Sequence, residues 1–362
     1  MPIALQSVLP EELASLAAID IADARRLIAQ VHRLGGLPER CPATIRRAAL
    51  DRARELGHLP ALELAERRES REDPFVKLVF RLHDGAVIET VRVPLERAGR
   101  YSVCVSSQVG CALACAFCAT GRMGLVRNLE VWEIVEQVRV VRAGLPEGGR
   151  VHGVLFQGMG EPMANLDRVI QAIRVLSEPC AQAIDMRNIT VCTAGLPAGI
   201  RRLLRELPAV RLGVSLGSVL PGQRRALMPI EGAHPLAEVL VAAGEHARET
   251  GRSPMLAFTL LAGQNDSDAD AIALAELSLR FGETWGVMPR LSLIPYNSLG
   301  ERDPFTRSTR LEAFRAELRT RGVGTIVRYS GGGDVGAACG QLAGPNAESR
   351  RTLEARAPGT HA

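Results

Sequence analysis

The residue types best suited to chemistry in this chain are its cysteines. Eight are spread unevenly over 362 residues, and three crowd into one segment, Cys111-Ala-Leu-Ala-Cys115-Ala-Phe-Cys118. Thiolates are soft ligands that select zinc or an iron–sulfur cluster. Structural zinc takes four protein ligands, and after Cys118 the next His or Cys is His152. A [4Fe–4S] cluster on three cysteines keeps one iron open to a small molecule. Three reduced cysteines buried side by side are the bland alternative. Two further cysteines lie near the two ends of the alternating stretch described next: Cys104, seven residues before Cys111, and Cys339. Each alone reads equally well as a small buried hydrophobe.

Something must position these thiols. Hydrophobic residues at 46% and charged residues at 23% exclude global disorder. Sparse, uneven cysteines exclude a disulfide-stapled scaffold. The start has no basic, apolar leader pattern, and no uncharged apolar run approaches the roughly 18 residues of a membrane span. A reducing cytoplasm is the expected location, where clustered cysteines mean metal or redox chemistry. The net charge of +4 is too small to prove a nucleic-acid partner, and 4% aromatics disfavours a broad stacking platform. Of 44 Lys and Arg residues only Lys77 is lysine, which reads as codon bias.

The chain divides into four stretches. Residues 1–72 read as a small helical module, with helical spacing at Glu11–Ala18, Asp20–Leu34 and Ala43–Leu56. Residues 73–100 read as a β-hairpin about Asp84-Gly85. From Tyr101 to Gly344, short β-branched runs alternate with helical patterns, which predicts an α/β fold with a parallel sheet. Residues 345–362 are polar and predicted to fray. The unusual residues fall at or just after the ends of the expected strands: Cys111–Cys118, Gly158–Pro162, Cys192-Thr193, Ser215–Gly217 and Pro295–Asn297. Strand C-terminal ends share one face of a (β/α) barrel, and that face carries active sites. A doubly wound open sheet is the competing topology.

The cysteine spacing, with Phe117 before the last cysteine, resembles the signature of radical S-adenosylmethionine (SAM) enzymes. The likeness is closer still to one family within them. Cys104-Val-Ser-Ser-Gln-Val-Gly-Cys111, Ala119-Thr-Gly121 with Arg127-Asn-Leu129, Gly158-Met-Gly-Glu-Pro162, Leu293-Ile-Pro-Tyr-Asn297 and the segment from Gly333 to Gly344 resemble the RlmN/Cfr family. Those enzymes methylate adenine ring carbons in RNA. The resemblance runs from about Phe75 to Gly344. It implies a partial parallel (β/α) barrel with a small N-terminal helical domain, a [4Fe–4S] cluster on Cys111, Cys115 and Cys118, and SAM on the open iron. It also implies a methyl-carrying Cys339, a resolving Cys104 that forms a transient disulfide with it, and Glu89 as proton acceptor. Gly160, Glu161, Cys192, Ser215, Leu216, Gly217 and Asn297 fall at SAM-contacting positions.

Two positions depart from the family pattern. Gly217 stands where His is usual, and Cys192 where Ser is usual. Pro162 leans toward the C2-methylating branch, with C8 methylation as the alternative. The expected partners are ribosomal RNA, transfer RNA and an electron donor of the flavodoxin type, with the chain acting as a monomer. A zinc-bearing, non-catalytic RNA-binding protein and an iron–sulfur redox protein with a Cys104–Cys339 switch are the readings from other classes. Cys41 and Cys180 match nothing. The Arg201-Arg202, Arg224-Arg225 and Arg350-Arg351 pairs read as solvated faces, and Gly331-Gly-Gly333 as a flexible lead into the Cys339 loop.

Overall fold

The computed structural model describes residues 2–220 and 222–342, so the expected tail and Arg350-Arg351 lie outside the described residues. The N-terminal module comprises β1 (Ile3–Ala4), α1 (Pro10–Ala17), α2 (Ile21–Leu34), α3 (Arg47–Leu56) and β2 (Gly57–His58). Asp20 caps α2 by accepting from the Ala22 N–H at 2.8 Å, and Gly35 ends it with φ +75°. The module has its own core, in which Leu5, Leu13, Leu27, Ile28 and Leu50 are buried. Cys41 and Cys180 pack against that core.

Next come β3 (Glu63–Glu69), β4 (Val76–Arg81), β5 (Val87–Pro94) and β6 (Arg100–Val105). The cysteine segment follows, carried by β7 (Gln108–Cys111), α4 (Ala119–Arg122) and β8 (Gly124–Asn128). Alternating units complete the chain: α5 (Val131–Ala143), β9 (Arg150–Phe156), α6 (Leu166–Ser177), β10 (Ile189–Thr193), α7 (Pro197–Glu206), β11 (Arg211–Ser215), α8 (Gln223–Leu227), α9 (Leu236–Thr250), β12 (Met255–Leu260), α10 (Asp268–Trp285), β13 (Arg290–Pro295), α11 (Leu311–Thr320) and β14 (Thr325–Val327).

Ten of these strands form one sheet in the order β14-β13-β12-β11-β10-β9-β6-β5-β4-β3. Every pairing from β6 through β14 is parallel, and those linking β3, β4, β5 and β6 are antiparallel. The end strands β14 and β3 do not pair, so the barrel is partial. Strands such as β10 are buried along their whole length, as a sheet covered on both faces requires. Helices α5, α6, α7, α9, α10 and α11 supply buried apolar stripes against it. No helix of the described residues is long and apolar enough to cross a membrane.

One sequence expectation needs correction. The first 72 residues are not purely helical, because β3 joins the sheet as its outermost strand. All seven of its residues, Glu-Leu-Ala-Glu-Arg-Arg-Glu, are exposed. An edge strand guarded by charges shows no apolar alternation to read.

Candidate active site

The cysteine segment is framed by a small antiparallel hairpin. β7 ends on Cys111, which pairs with Gly124 at the start of β8. Gly110 has φ +74°, and any Cβ there would collide with the Gly124 carbonyl. Arg127 fastens the hairpin from outside. Its guanidinium donates two bonds of 2.8 Å to the buried Glu133 and one of 2.6 Å to Asp84 in the β4–β5 turn. Glu133 also accepts from the Glu130 N–H at 2.8 Å, so the same carboxylate caps α5.

Cys111, Cys115 and Cys118 are free thiols lining one pocket at the C-terminal ends of the parallel strands. Burial pushes the Cys111 thiol up to about 11 and raises Cys115 and Cys118 as well. The neighbouring Cys118 and Cys111 add to the rise at Cys115. Burial therefore opposes three bare thiolates here, and a cationic cluster would offset that cost. Among the described residues no three His, Cys, Asp or Glu converge as ligands of a single metal ion. A multi-iron cluster meets each thiolate at a separate iron and needs no such convergence. The three sulfurs fit that donor role.

Gly160, Glu161, Cys192, Ser215 and Gly217 line the same pocket. Gly160 has φ +97° and lies against Gln108 too closely for a side chain. Glu161 is buried, and its carboxylate accepts from the Met163 N–H at 3.0 Å and the Ala194 N–H at 2.9 Å. Burial raises its pKa, against the pull of those backbone donors. Gly217 has φ +68°, and an added Cβ would collide with the Met228 sulfur. The thioether thus occupies the space of the side chain that Gly217 lacks.

Leu216 and Asn297 do not join the pocket wall. Leu216 is fully buried, and its carbonyl accepts from Arg224 Nε at 2.9 Å. This corrects the reading of Arg224 as solvated: it is 2% exposed, also donates to the Ala194 carbonyl, and pairs with Glu231. Asn297 Nδ2 donates to Ser330 Oγ at 2.8 Å and to the Cys339 carbonyl at 3.3 Å.

Cys339 itself lines the pocket with Cys111, Cys115 and Cys118. Its loop is clamped to theirs. The Ala119 N–H donates to the Gly340 carbonyl at 2.9 Å, and the Thr120 hydroxyl donates to the Leu342 carbonyl. The lead-in is clamped too, which corrects its reading as flexible. Gly331 lies against Phe75, and the Gly332 N–H donates to Asp73 at 2.8 Å.

Cys104 lies on β6 beside Val91 and Leu155. Burial pushes its thiol up to about 12, the Cys339 sulfur adds to that rise, and Arg328 opposes it. Burial opposes the charge of Arg328, yet Cys339, Cys192 and Cys104 together hold its pKa above the ordinary value. The arrangement thus sets one cation among three thiols. Sequence reading missed Arg328, which sits at the end of β14 without a motif around it.

Glu89 does not line the pocket. It is buried on β5, and its Oε1 is 3.3 Å from Lys77 Nζ. Its flanking residues Ile88 and Thr90 are buried as well, so both faces of β5 are covered. The Glu89 carbonyl accepts from Ser106 Oγ at 2.6 Å, and that oxygen accepts from the Met159 N–H at 3.0 Å.

A partial parallel barrel with three cysteines in the loop after its first parallel strand defines a radical SAM protein. The model of the radical SAM superfamily matches residues 105–277. A probable RNA methyltransferase of Sorangium cellulosum is 68% identical over 97% of this chain and 95% of its own length. A dual-specificity RNA methyltransferase RlmN of Anaeromyxobacter dehalogenans is 39% identical over 99% of this chain and 97% of its own. The crystal structure of a radical SAM methyltransferase from Sphaerobacter thermophilus superposes with a TM-score of 0.83 at 36% identity, covering 95% of this chain and all of that one. The chain belongs to the RlmN family of radical SAM RNA methyltransferases.

Proposed function

We propose that this enzyme methylates C2 of an adenosine in ribosomal RNA, and in transfer RNA, through a methyl group carried on Cys339. The observation that carries the reading is the presence of Cys339 in one pocket with Cys111, Cys115 and Cys118. The dual-specificity name borne by relatives supports two kinds of RNA substrate.

The reaction needs this unusual route because the amidine carbon of adenine is electrophilic, so direct methyl transfer from SAM fails. The Cys339 thiolate accepts the methyl group of one SAM. Cys111, Cys115 and Cys118 would hold a [4Fe–4S] cluster, which together with SAM would supply the radical chemistry that activates that methyl group. The sulfur-borne carbon radical then adds to the ring and links Cys339 to RNA, and the unpaired electron of the adduct would pass back to the cluster. Glu89 accepts the ring proton. Cys104 attacks the Cys339 sulfur, the bond from that sulfur to the methylene breaks as a disulfide forms, and the methylene takes up a proton as the methylated RNA leaves. A flavodoxin-type electron donor would supply the electron for SAM cleavage, and the Cys104–Cys339 disulfide is reduced again before the next turnover. Gly160 allows close approach of the protein backbone to the cofactor. Glu161 is the acceptor for the SAM amino group, and Cys192, Ser215 and Gly217 complete the wall. Leu216 and Asn297 act behind it, Asn297 by holding the Cys339 loop.

Mass spectrometry of nucleosides from cells with and without the gene tests this. Loss of 2-methyladenosine is expected. Loss of 8-methyladenosine would move the reading to C8, and no change in either overturns it. Purified Cys104→Ala protein should retain RNA covalently on Cys339.

A further inference from the structure

The chain has one lysine among its 44 Lys and Arg residues, and the fold buries it. Lys77 is 4% exposed on β4. Its Nζ lies 3.3 Å from Glu89 Oε1 and donates to the Gly336 carbonyl at 3.2 Å. Gly336 sits three residues before Cys339, in the same loop. One ammonium group therefore touches both the proposed proton acceptor and the segment that carries the proposed methyl-bearing sulfur.

A buried ion pair is a poor stabilising device, because desolvation consumes most of the Coulomb gain. Burial indeed lowers the Lys77 pKa, with the Glu89 charge working against that shift. Its placement also departs from the rest of the chain, where every other such position is arginine. The site explains the choice. Gly336 has φ +65°, and even an added Cβ there would lie 3.1 Å from Nζ. A compact ammonium fits between a carboxylate and that carbonyl, whereas a planar guanidinium is wider and forked. The other charged groups facing Lys77 are Glu66 and Arg68 on β3. Those two pair with each other through two bonds of 2.6 Å.

We propose that Lys77 is a positioning residue for the reaction above, holding the Glu89 carboxylate in fixed register with the Cys339 loop. The inference rests on the methyltransferase reading of the site. In the step it serves, the ring C–H bond breaks, its electron pair stays in the ring, and the proton goes to Glu89. Lys77 keeps its own protons. That step follows the joining of Cys339 to RNA and precedes the attack of Cys104. Loss of Lys77 therefore stalls the cycle at the covalent adduct and spares everything earlier.

The test uses reconstituted full-length holoenzyme with substrate RNA, comparing wild type, Lys77→Met and Lys77→Arg. For Lys77→Met we expect methyl loading of Cys339 and 5′-deoxyadenosine release in the first turnover within about twofold of wild type. Methyladenosine should fall at least about tenfold, with an RNA–protein adduct on denaturing gels. Without the ammonium 3.3 Å from the Glu89 carboxylate, the acid limb of the pH–rate profile should move to higher pH. Lys77→Arg should keep that limb in place but still accumulate adduct. It serves as the decisive variant if Lys77→Met fails to fold. Wild-type product formation in either variant overturns the proposal. So does a parallel loss of methyl loading, deoxyadenosine and product, which marks a merely structural role. Wild type that neither loads Cys339 nor methylates RNA overturns the methyltransferase reading itself, and this inference with it.

Discussion

Gly217 shows how one residue reshapes a pocket wall. It combines φ +68° with contact against the Met228 sulfur, so restoring the usual histidine meets both strain and a clash. Gly217→His alone should cost about 1–3 kcal/mol of stability. Thermal melting of Gly217→His beside Gly217→His/Met228→Ala checks this, because the second change opens the space and should recover part of the loss. The residue scale is also where sequence reading divides most sharply. Cys111, Cys115 and Cys118 were legible because metal chemistry constrains their spacing within eight residues. Cys339 and Cys104 were legible only through their motif contexts. Lys77 was not legible at all, since its two partners lie 12 and 259 residues away. Arg328 likewise meets Gln157 across 171 residues. Nothing in a local window marks a contact of that kind.

Elements repeat the lesson at larger scale. Helices such as α7 were readable because they bury an apolar stripe at helical spacing, and strands such as β10 because they are short unbroken apolar, β-branched runs. The hairpin of β7 and β8 was not, because it is held by single ties more than by apolar alternation. Its chief tie is Arg127, whose partner Glu133 has a side chain with no exposure. Arg127→Ala leaves that carboxylate buried without its guanidinium, and should destabilise the fold by about 2–3 kcal/mol. The functional effect should exceed the global one, because β7 carries Cys111. Reconstituted Arg127→Ala protein should retain less iron per chain than wild type at equal folded fraction. Equal iron content would show that the hairpin needs no such tie.

The whole molecule responds to acid through two buried histidines. Burial, with Arg139 and Arg142 nearby, lowers His32 to about 4. Burial, with Arg252, lowers His246 to about 4. Both are neutral in the fold, while the unfolded chain takes up protons at about 6.5. Below pH 6.5 the unfolded state therefore binds more protons, and stability falls as the pH drops toward 4. The loss should be on the order of 1–3 kcal/mol per histidine, with no slope from either above pH 7. Thermal melts from pH 7 to pH 4.5 check the sign, and His32→Gln should remove its share of the slope. The clamp between the Cys339 loop and the cysteine segment has a consequence in time as well as in space. A ribosome delivers residues at about 5–20 per second, so the clasping strip leaves it on the order of 10–40 s after Cys118. Glu161, Cys192, Ser215 and Ile294 of the pocket wall emerge within that interval, so the cradle is complete only when the Cys339 loop closes on it.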